Sequence, residues 1–356
     1  MKEYRVNLID GIRPQIESEI KRPKKKLPIF WRIIIFLLII VAFYSSQVFF
    51  TQESVLPQFG RLSFWEGIAR FVFHQDKILK GELSDRINFL ILGMGGAEHE
   101  GPYLTDTIIL ASLKPNQKKA ALISIPRDLY VPSEDFGWQK INAINALGMA
   151  KKKDGILATK KIVENLFETP IHYWIRIDFQ GLTKIIDSLG GVEIDVEKGF
   201  VDNLYPAPGF KYQTIVFEEG KQIMNGERVL QYVRSRHGTN GENSDFARMK
   251  RQQKVIMAIK NKLEKDGSLF SPNKILEFYS LYTKNVTTNL ELAEIIKLTK
   301  LLKQIPEENI ITYNFEIGPG KELISETATN GAYILKPKSG DFRELAKIVK
   351  NIFNQP

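Results

Sequence analysis

The chain has 356 residues, with 50 Lys and Arg against 41 Asp and Glu, a net charge of +9 with His neutral. Hydrophobic residues make up 43% and charged residues 26%, the composition of a folded protein and not of a disordered one. Absence of cysteine excludes a disulfide scaffold, a thiol nucleophile, a thiolate zinc site and a Cys-ligated iron–sulfur cluster. With only four histidines (His74, His99, His172, His237), a multi-histidine metal cage is not expected. Residues 1–28 hold eight Lys and Arg against four acids, so the basic excess is local, and the dense basic face of a nucleic-acid binder is not indicated.

The first element in chain order is an apolar run. Lys21–Lys26 reads KRPKKK, and Ile33–Phe50 follows with 18 residues and no charge. At about 1.5 Å per residue such a run nearly spans a hydrocarbon core of about 30 Å. A cleaved signal peptide also has a basic start, but this run is longer than the usual apolar region and no small-x-small cleavage site follows. The expectation is a cytoplasmic tail (1–28), one transmembrane helix (29–50) and an extracytoplasmic remainder, because basic flanks stay inside. Gly60–Leu79, in the membrane-proximal stretch 51–85, carries Phe64, Ile68, Phe71, Val72 and Leu79 at helical spacing. Such a helix can lie on the membrane or pack on the soluble domain.

Beyond it, strands are expected at Ile87–Leu92, Thr107–Leu113, Ala120–Ile125, Tyr173–Ile177 and Val192–Val196, with shorter ones at Val229–Val233 and Ile310–Phe315. Helices are expected at Ile156–Leu166, Leu182–Leu189, Phe246–Leu263, Lys274–Tyr282, Leu290–Leu302 and Phe342–Ile352, with Asp245, Ser271, Asn289 and Asp341 as caps. Alternating strands and helices predict an α/β sandwich with a mixed central sheet. A core over 86–262 is expected, with 263–356 as a helical and strand extension of the same domain.

Gly93-Met94-Gly95-Gly96 follows a strand, but neither nucleotide motif fits: the third Rossmann glycine would fall on Glu98, and no Gly-Lys-Ser/Thr follows. Arginines at element ends are more informative. Arg127 follows one strand, Arg234 and Arg236 close the strand expected over Val229–Val233, and Arg248, Arg251 and Gln252 lie early in the helix from Phe246. Cations at a helix N-terminus oppose the macrodipole, so this placement makes sense where an anion binds. Grouped guanidinium groups suit a pyrophosphate or a transferring phosphoryl group. Their bland alternative is a solvated basic surface, or pairing with acids such as Asp245. Asp106 is a candidate ligand for a hard cation such as Mg²⁺, or a turn residue; Asp128 reads as an Arg partner.

The strand Ile87–Gly93, the block Thr105-Asp106-Thr107, Ser124–Asp128, Lys140-Ile141-Asn142-Ala143, Gly190-Gly191-Val192, Tyr232–Arg236 and Asp245–Gln253 (DFARMKRQQ) together resemble the LytR–CpsA–Psr (LCP) family. The resemblance implies an α/β sandwich with an apolar pocket for a lipid tail. It also implies a Mg²⁺-assisted phosphotransferase that moves a glycopolymer from a polyprenyl-pyrophosphate carrier to a cell-wall hydroxyl, usually on peptidoglycan. By the same resemblance Arg127, Arg234, Arg236, Arg248 and Gln252 hold the pyrophosphate, and Asp106 is a metal-site carboxylate. One departure stands out: the second Asp usual in the family falls on Gly95 here, and the position before Thr105, often Arg, is Leu104. Either Glu98, His99 or Glu100 takes over metal binding or acceptor activation, or the metal site is weakened. Two other readings use the same arginines: an envelope regulator that binds polyprenyl phosphates without turnover, and a hydrolase with water as acceptor.

Overall fold

The computed structural model describes residues 77–207, 209, 211–266 and 285–354. The expected tail, membrane helix, most of the membrane-proximal stretch, and the helix and cap expected over 271–282 lie outside the described residues. Among the described residues no helix is long and apolar enough to cross a membrane.

Two strands open the described fold: β1 (Ile87–Met94) runs antiparallel to β2 (Thr105–Lys114), with Leu92 opposite Ile108 and a register shift at Gly93/Met94. β3 (Lys119–Ser124) returns beside β2. A small hairpin of β4 (Tyr130–Ser133) and β5 (Gly137–Lys140) leads to helices α1 (Ile144–Ala150) and α2 (Gly155–Phe167). These deliver β6 (Tyr173–Asp178), parallel to β1. A satellite follows, made of α3 (Phe179–Ser188), β7 (Val192–Val196), β8 (Phe200–Ala207), β9 (Lys211–Phe217), β10 (Gly220–Met224) and α4 (Gly226–Arg234). The long α5 (Asp245–Lys265) leads from the satellite back to the sheet. After it come β11 (Val286–Thr288), α6 (Leu292–Leu302), β12 (Ile310–Asn314), β13 (Leu323–Thr327), β14 (Tyr333–Pro337) and α7 (Arg343–Lys350).

The central sheet has the order β11-β6-β1-β2-β3-β12 and is mixed: β1/β6 and β3/β12 are parallel, the other pairs antiparallel. Period-two alternation sends its side chains to two cores. Leu90, Leu92, Ile108, Leu110 and Ile123 meet Ile144, Ile156, Phe167 and Leu345 on one face. Ile87, Phe89, Ile109, Leu113 and Leu122 meet Ile256 and Met257 of α5 and Leu298 of α6 on the other. A third cluster, including Ile194, Phe200, Ile215, Phe217, Val229 and Tyr232, holds the satellite together. Gln253 fixes α5 to the sheet: its buried amide donates to Leu122 O (3.1 Å), Ser124 Oγ (2.8 Å) and Tyr313 O (3.1 Å).

Five expectations need correcting, one of them the Asp341 cap, since the N-cap of α7 is Phe342. Val229–Val233 is helical, inside α4, because Asn225 caps the helix by accepting from Arg228 N at 2.9 Å and Val229, Tyr232 and Val233 form an i, i+3, i+4 stripe on the satellite core. Arg234 and Arg236 are therefore not an alternating strand pair; the helix ends at Arg234 and the backbone opens at Ser235 (φ −50°, ψ 136°). The cap of α5 is Ser244, whose Oγ accepts from Ala247 N at 3.0 Å, leaving Asp245 to face the arginines. The cap of α6 is Glu291, in a capping box with Glu294, whereas Asn289 bridges to β6 by accepting from Trp174 N and donating to His172 O.

Candidate functional site

The register shift at Gly93/Met94 places Asp106 at the mouth of the sheet, two residues into β2, and Arg127 follows Pro126 just beyond β3. Arg127 Nη1 donates to Asp106 Oδ1 at 2.8 Å; its Nε lies 3.2 Å from Asp245 Oδ1 and 3.6 Å from Asp128 Oδ2. Asp245 Oδ1 also receives Arg248 Nη2 at 2.7 Å and lies 3.7 Å from Arg236 Nη2. Arg248 donates to the Asp106 carbonyl at 3.3 Å, and Lys140 to Asp128 at 2.7 Å. Asn142 supports this floor from below: its N–H donates to Arg127 O, its carbonyl accepts from Thr105 Oγ1, and its side chain hydrogen-bonds the Asp106 carboxylate.

Burial opposes both charges of the central pair. Even so, Arg127 and Arg248 hold the Asp106 carboxyl below the usual carboxylate range, and Asp106, Asp245 and Asp128 raise Arg127 above its ordinary value. The pair is ionised and mutually dependent. Arg248 is almost wholly buried, and Nε of both Arg127 and Arg248 is a buried donor without a hydrogen-bond acceptor among the described residues. Guanidinium groups held this way, with donors left over, are preorganised for a multi-oxygen anion that would take over from the carboxylates.

Arg234 lies on the satellite side of the site. Its guanidinium stacks 4.4 Å from the Phe179 ring centroid and approaches Tyr205 Oη at 3.4 Å, with no carboxylate ion-pair partner among the described residues. His99 packs edge-on against the same Phe179 ring at 5.0 Å. A Cβ on Gly95 would stand 3.0 Å from His99 Cβ and 3.7 Å from that ring, so the space at this position is filled by the imidazole. Burial, then Arg234, lower the His99 pKa against the opposing pull of Glu98 and Asp178.

Other expected residues behave differently. Arg251 does not face the arginine group: it donates to the carbonyls of Tyr232 (2.9 Å), Glu242 (3.2 Å) and Ser235 (2.5 Å) and to the Glu242 carboxylate, so its fork is filled by protein. Gln252 is buried one turn beyond Arg248. Glu98 is exposed and accepts from Gln180 at 2.9 Å; Glu100 is exposed. Among the described residues no three His, Asp or Glu side chains are gathered to hold a metal ion. The donor chemistry fits a hard cation that retains water and takes most of its ligands from a phosphate, with Asp106 as its protein carboxylate, and does not fit an all-protein cage. Phe179, Tyr205 and Asp178 were not anticipated from the sequence; an aromatic beside a distant arginine leaves no local pattern.

At the strand ends of this mixed α/β sheet the fold gathers Arg127, Arg236 and Arg248 around Asp106 and Asp245. The chain belongs to the LytR_cpsA_psr family, whose model matches residues 72–351. It is 31% identical over 242 residues, 67% of this chain and 69% of the relative, to the polyisoprenyl-teichoic acid–peptidoglycan teichoic acid transferase TagU of Oceanobacillus iheyensis. It is 33% identical over 180 residues, 50% of this chain and 49% of the relative, to the regulatory protein MsrR of Staphylococcus aureus (strain Mu50). Among solved structures it resembles TagT bound to LIIa-WTA, with a TM-score of 0.58, 21% identity, and coverage of 85% of this chain and 100% of that one.

Proposed function

We propose that the chain is a membrane-anchored, extracytoplasmic phosphotransferase that moves a glycopolymer from a polyprenyl-pyrophosphate carrier to a peptidoglycan hydroxyl. The observation that carries this reading is the shared contact of Arg127, Arg236 and Arg248 with Asp245, beside the ion pair of Arg127 with Asp106. The basic run before Ile33–Phe50 supports the anchor and its orientation. Teichoic acid transfer, named for the TagU relative, supports the reaction class.

In this mechanism the acceptor hydroxyl oxygen attacks the phosphorus bonded to the sugar. The bond from that phosphorus to the bridging oxygen breaks, and polyprenyl phosphate leaves. The acceptor proton passes to water, because Asp106, held below the usual carboxylate range by Arg127 and Arg248, is a weak base and serves as a charge partner. Arg127, Arg234, Arg236 and Arg248 hold the phosphate oxygens and oppose the charge gathering on the leaving group, and Gln252 extends the same face. Asp106 would hold Mg²⁺, which supplies further positive charge to the diphosphate when bound. Loss of the carboxylate at Gly95 favours a second reading, a regulator that binds polyprenyl phosphates without turnover, with hydrolysis as a narrower alternative.

The test uses the full chain in detergent with a synthetic polyprenyl-pyrophosphate oligosaccharide, Mg²⁺ and peptidoglycan fragments. Mass spectrometry should find a phosphodiester-linked product and released polyprenyl phosphate, both lost with EDTA. Lipid binding without product or release would support the regulator, and release without linkage the hydrolase.

A further inference from the structure

Ser235 lies between Arg234 and Arg236 and is wholly buried, with 0% of its surface exposed. Two buried ions grip it from opposite elements. Asp202, 1% exposed, accepts through Oδ2 from Ser235 Oγ (2.6 Å), Arg236 N (3.1 Å) and His237 N (3.2 Å), and through Oδ1 from Leu204 N (2.9 Å). Arg251, 2% exposed, donates to the carbonyls of Tyr232, Ser235 and Glu242 and to the Glu242 carboxylate. The two charges form no direct ion pair in the described structure; what they share is Ser235.

Burying a carboxylate or a guanidinium is costly unless its hydrogen-bonding capacity is met, and residues 232–237 supply three of the four hydrogen bonds to Asp202 and two of the four from Arg251. That segment needs external support. Between α4 and α5 the chain runs through Gly238, Asn240 (φ 58°) and Gly241 (φ 83°) without helix or strand. Among the described residues the Arg236 guanidinium has one ion-pair partner, Asp245 at 3.7 Å, so its backbone decides where its guanidinium stands. The same irregularity in the β8–β9 hairpin, a register shift between Asp202 and Tyr205, turns Asp202 to Ser235 and brings Tyr205 Oη to Arg234.

We propose that Asp202 and Arg251 are positioning residues that clamp Ser235 and thereby set Arg236, with Arg234 beside it, for the diphosphate. The proposal rests on the reading of these arginines as the diphosphate site. An Asn at 202 keeps the shape but can present only one acceptor oxygen, so its NH₂ must oppose a donor. Misplacement by about 1 Å costs on the order of 10²-fold in a positioning-dependent reaction.

The experiment is a mutant cycle on the full chain in detergent, read by calorimetric binding of geranyl diphosphate and by transfer rate. Asp202→Asn should weaken binding at least about tenfold and lower transfer by about 10²-fold, with a cooperative melt retained. In that background Arg236→Ala should add little, whereas Arg127→Ala should still impose its full loss. If Asp202→Asn does not fold, Ser235→Ala and Arg251→Lys enter the same cycle. Full additivity of Arg236→Ala with these variants overturns the clamp, because a merely structural lesion lowers stability without removing the value of one particular arginine. Wild type that binds geranyl diphosphate but transfers nothing overturns the transferase reading, and the cycle is then judged on binding alone. Absence of binding by wild type overturns both.

Discussion

On the sheet side of the site, Asp106 and Arg127 stand at residues whose backbone is set by β2 and β3, and Gln253 ties the helix carrying Arg248 to β3. On the satellite side, Arg234 and Arg236 straddle the end of a nine-residue helix and a loop held by buried side chains. One half of the site inherits its geometry from a hydrogen-bonded ladder, the other from a few ions that must each be correctly paired. The difference teaches where the site is tolerant: the sheet half withstands changes around it, and the satellite half is sensitive to residues that never touch an anion.

The largest expected break of this comparison is Arg127→Ala. It removes the guanidinium shared by Asp106, Asp128 and Asp245, and transfer should fall on the order of 10²–10³-fold, measured as product per folded enzyme. Activity within tenfold of wild type would remove Arg127 from the mechanism. Next, Gln253→Leu should lower unfolding stability by about 2 kcal/mol in a urea titration while transfer stays within about threefold, because it loosens a bolt and leaves the arginines. A large activity loss at unchanged stability would give Gln253 a different role.

A pH comparison sharpens the sheet side. The Asp106 pKa is depressed in the fold, so its stabilisation is fully present above the ordinary carboxylate value of about 4 and is lost as pH falls through the lowered value. Below about pH 4 the melting temperature of wild type should fall more steeply than that of Asp106→Asn; parallel curves would mean the pair is not felt in stability. The smallest effects belong to the loop acids: Glu98→Gln and Glu100→Gln should change transfer less than about twofold, since neither joins the arginine group, whereas His99→Ala should cost several-fold through Phe179 and Arg234. A loss of tenfold or more in either Gln variant would restore these acids to the metal site.

The sequence made the sheet side legible because its signals are local. Ile87–Leu92, Thr107–Leu113 and Ala120–Ile125 are apolar, β-branched runs buried on both faces, and each is a strand within two residues of the expected ends. Asp106 and Arg127 follow from those elements and meet, and Arg248 joins them from α5. The satellite obscured its own pattern. Val229–Val233 has strand-like composition, and only the Asn225 cap and the three- and four-residue spacing make it helical. In β8 and β9, exposed Leu204, Tyr212 and Val216 break the rule that apolar means buried, and buried Asp202 breaks its converse. Sequence spacing puts Arg251 beside Arg248 and the anion ligands; its direction is decided by carbonyls of Tyr232 and Ser235, which spacing does not reveal.

Both outer strands of the six-stranded sheet, β11 and β12, come from the chain after residue 263, one against β6 and the other against β3. A protein ending near residue 262 would keep every arginine of the site but would end its sheet on the longer β6 and β3 in place of the short β11 and β12. Exposed borders of that kind recruit other chains into extended pairing. β11 and β12, from a stretch silent in motif, thus act as selvedges that finish the sheet on short strands.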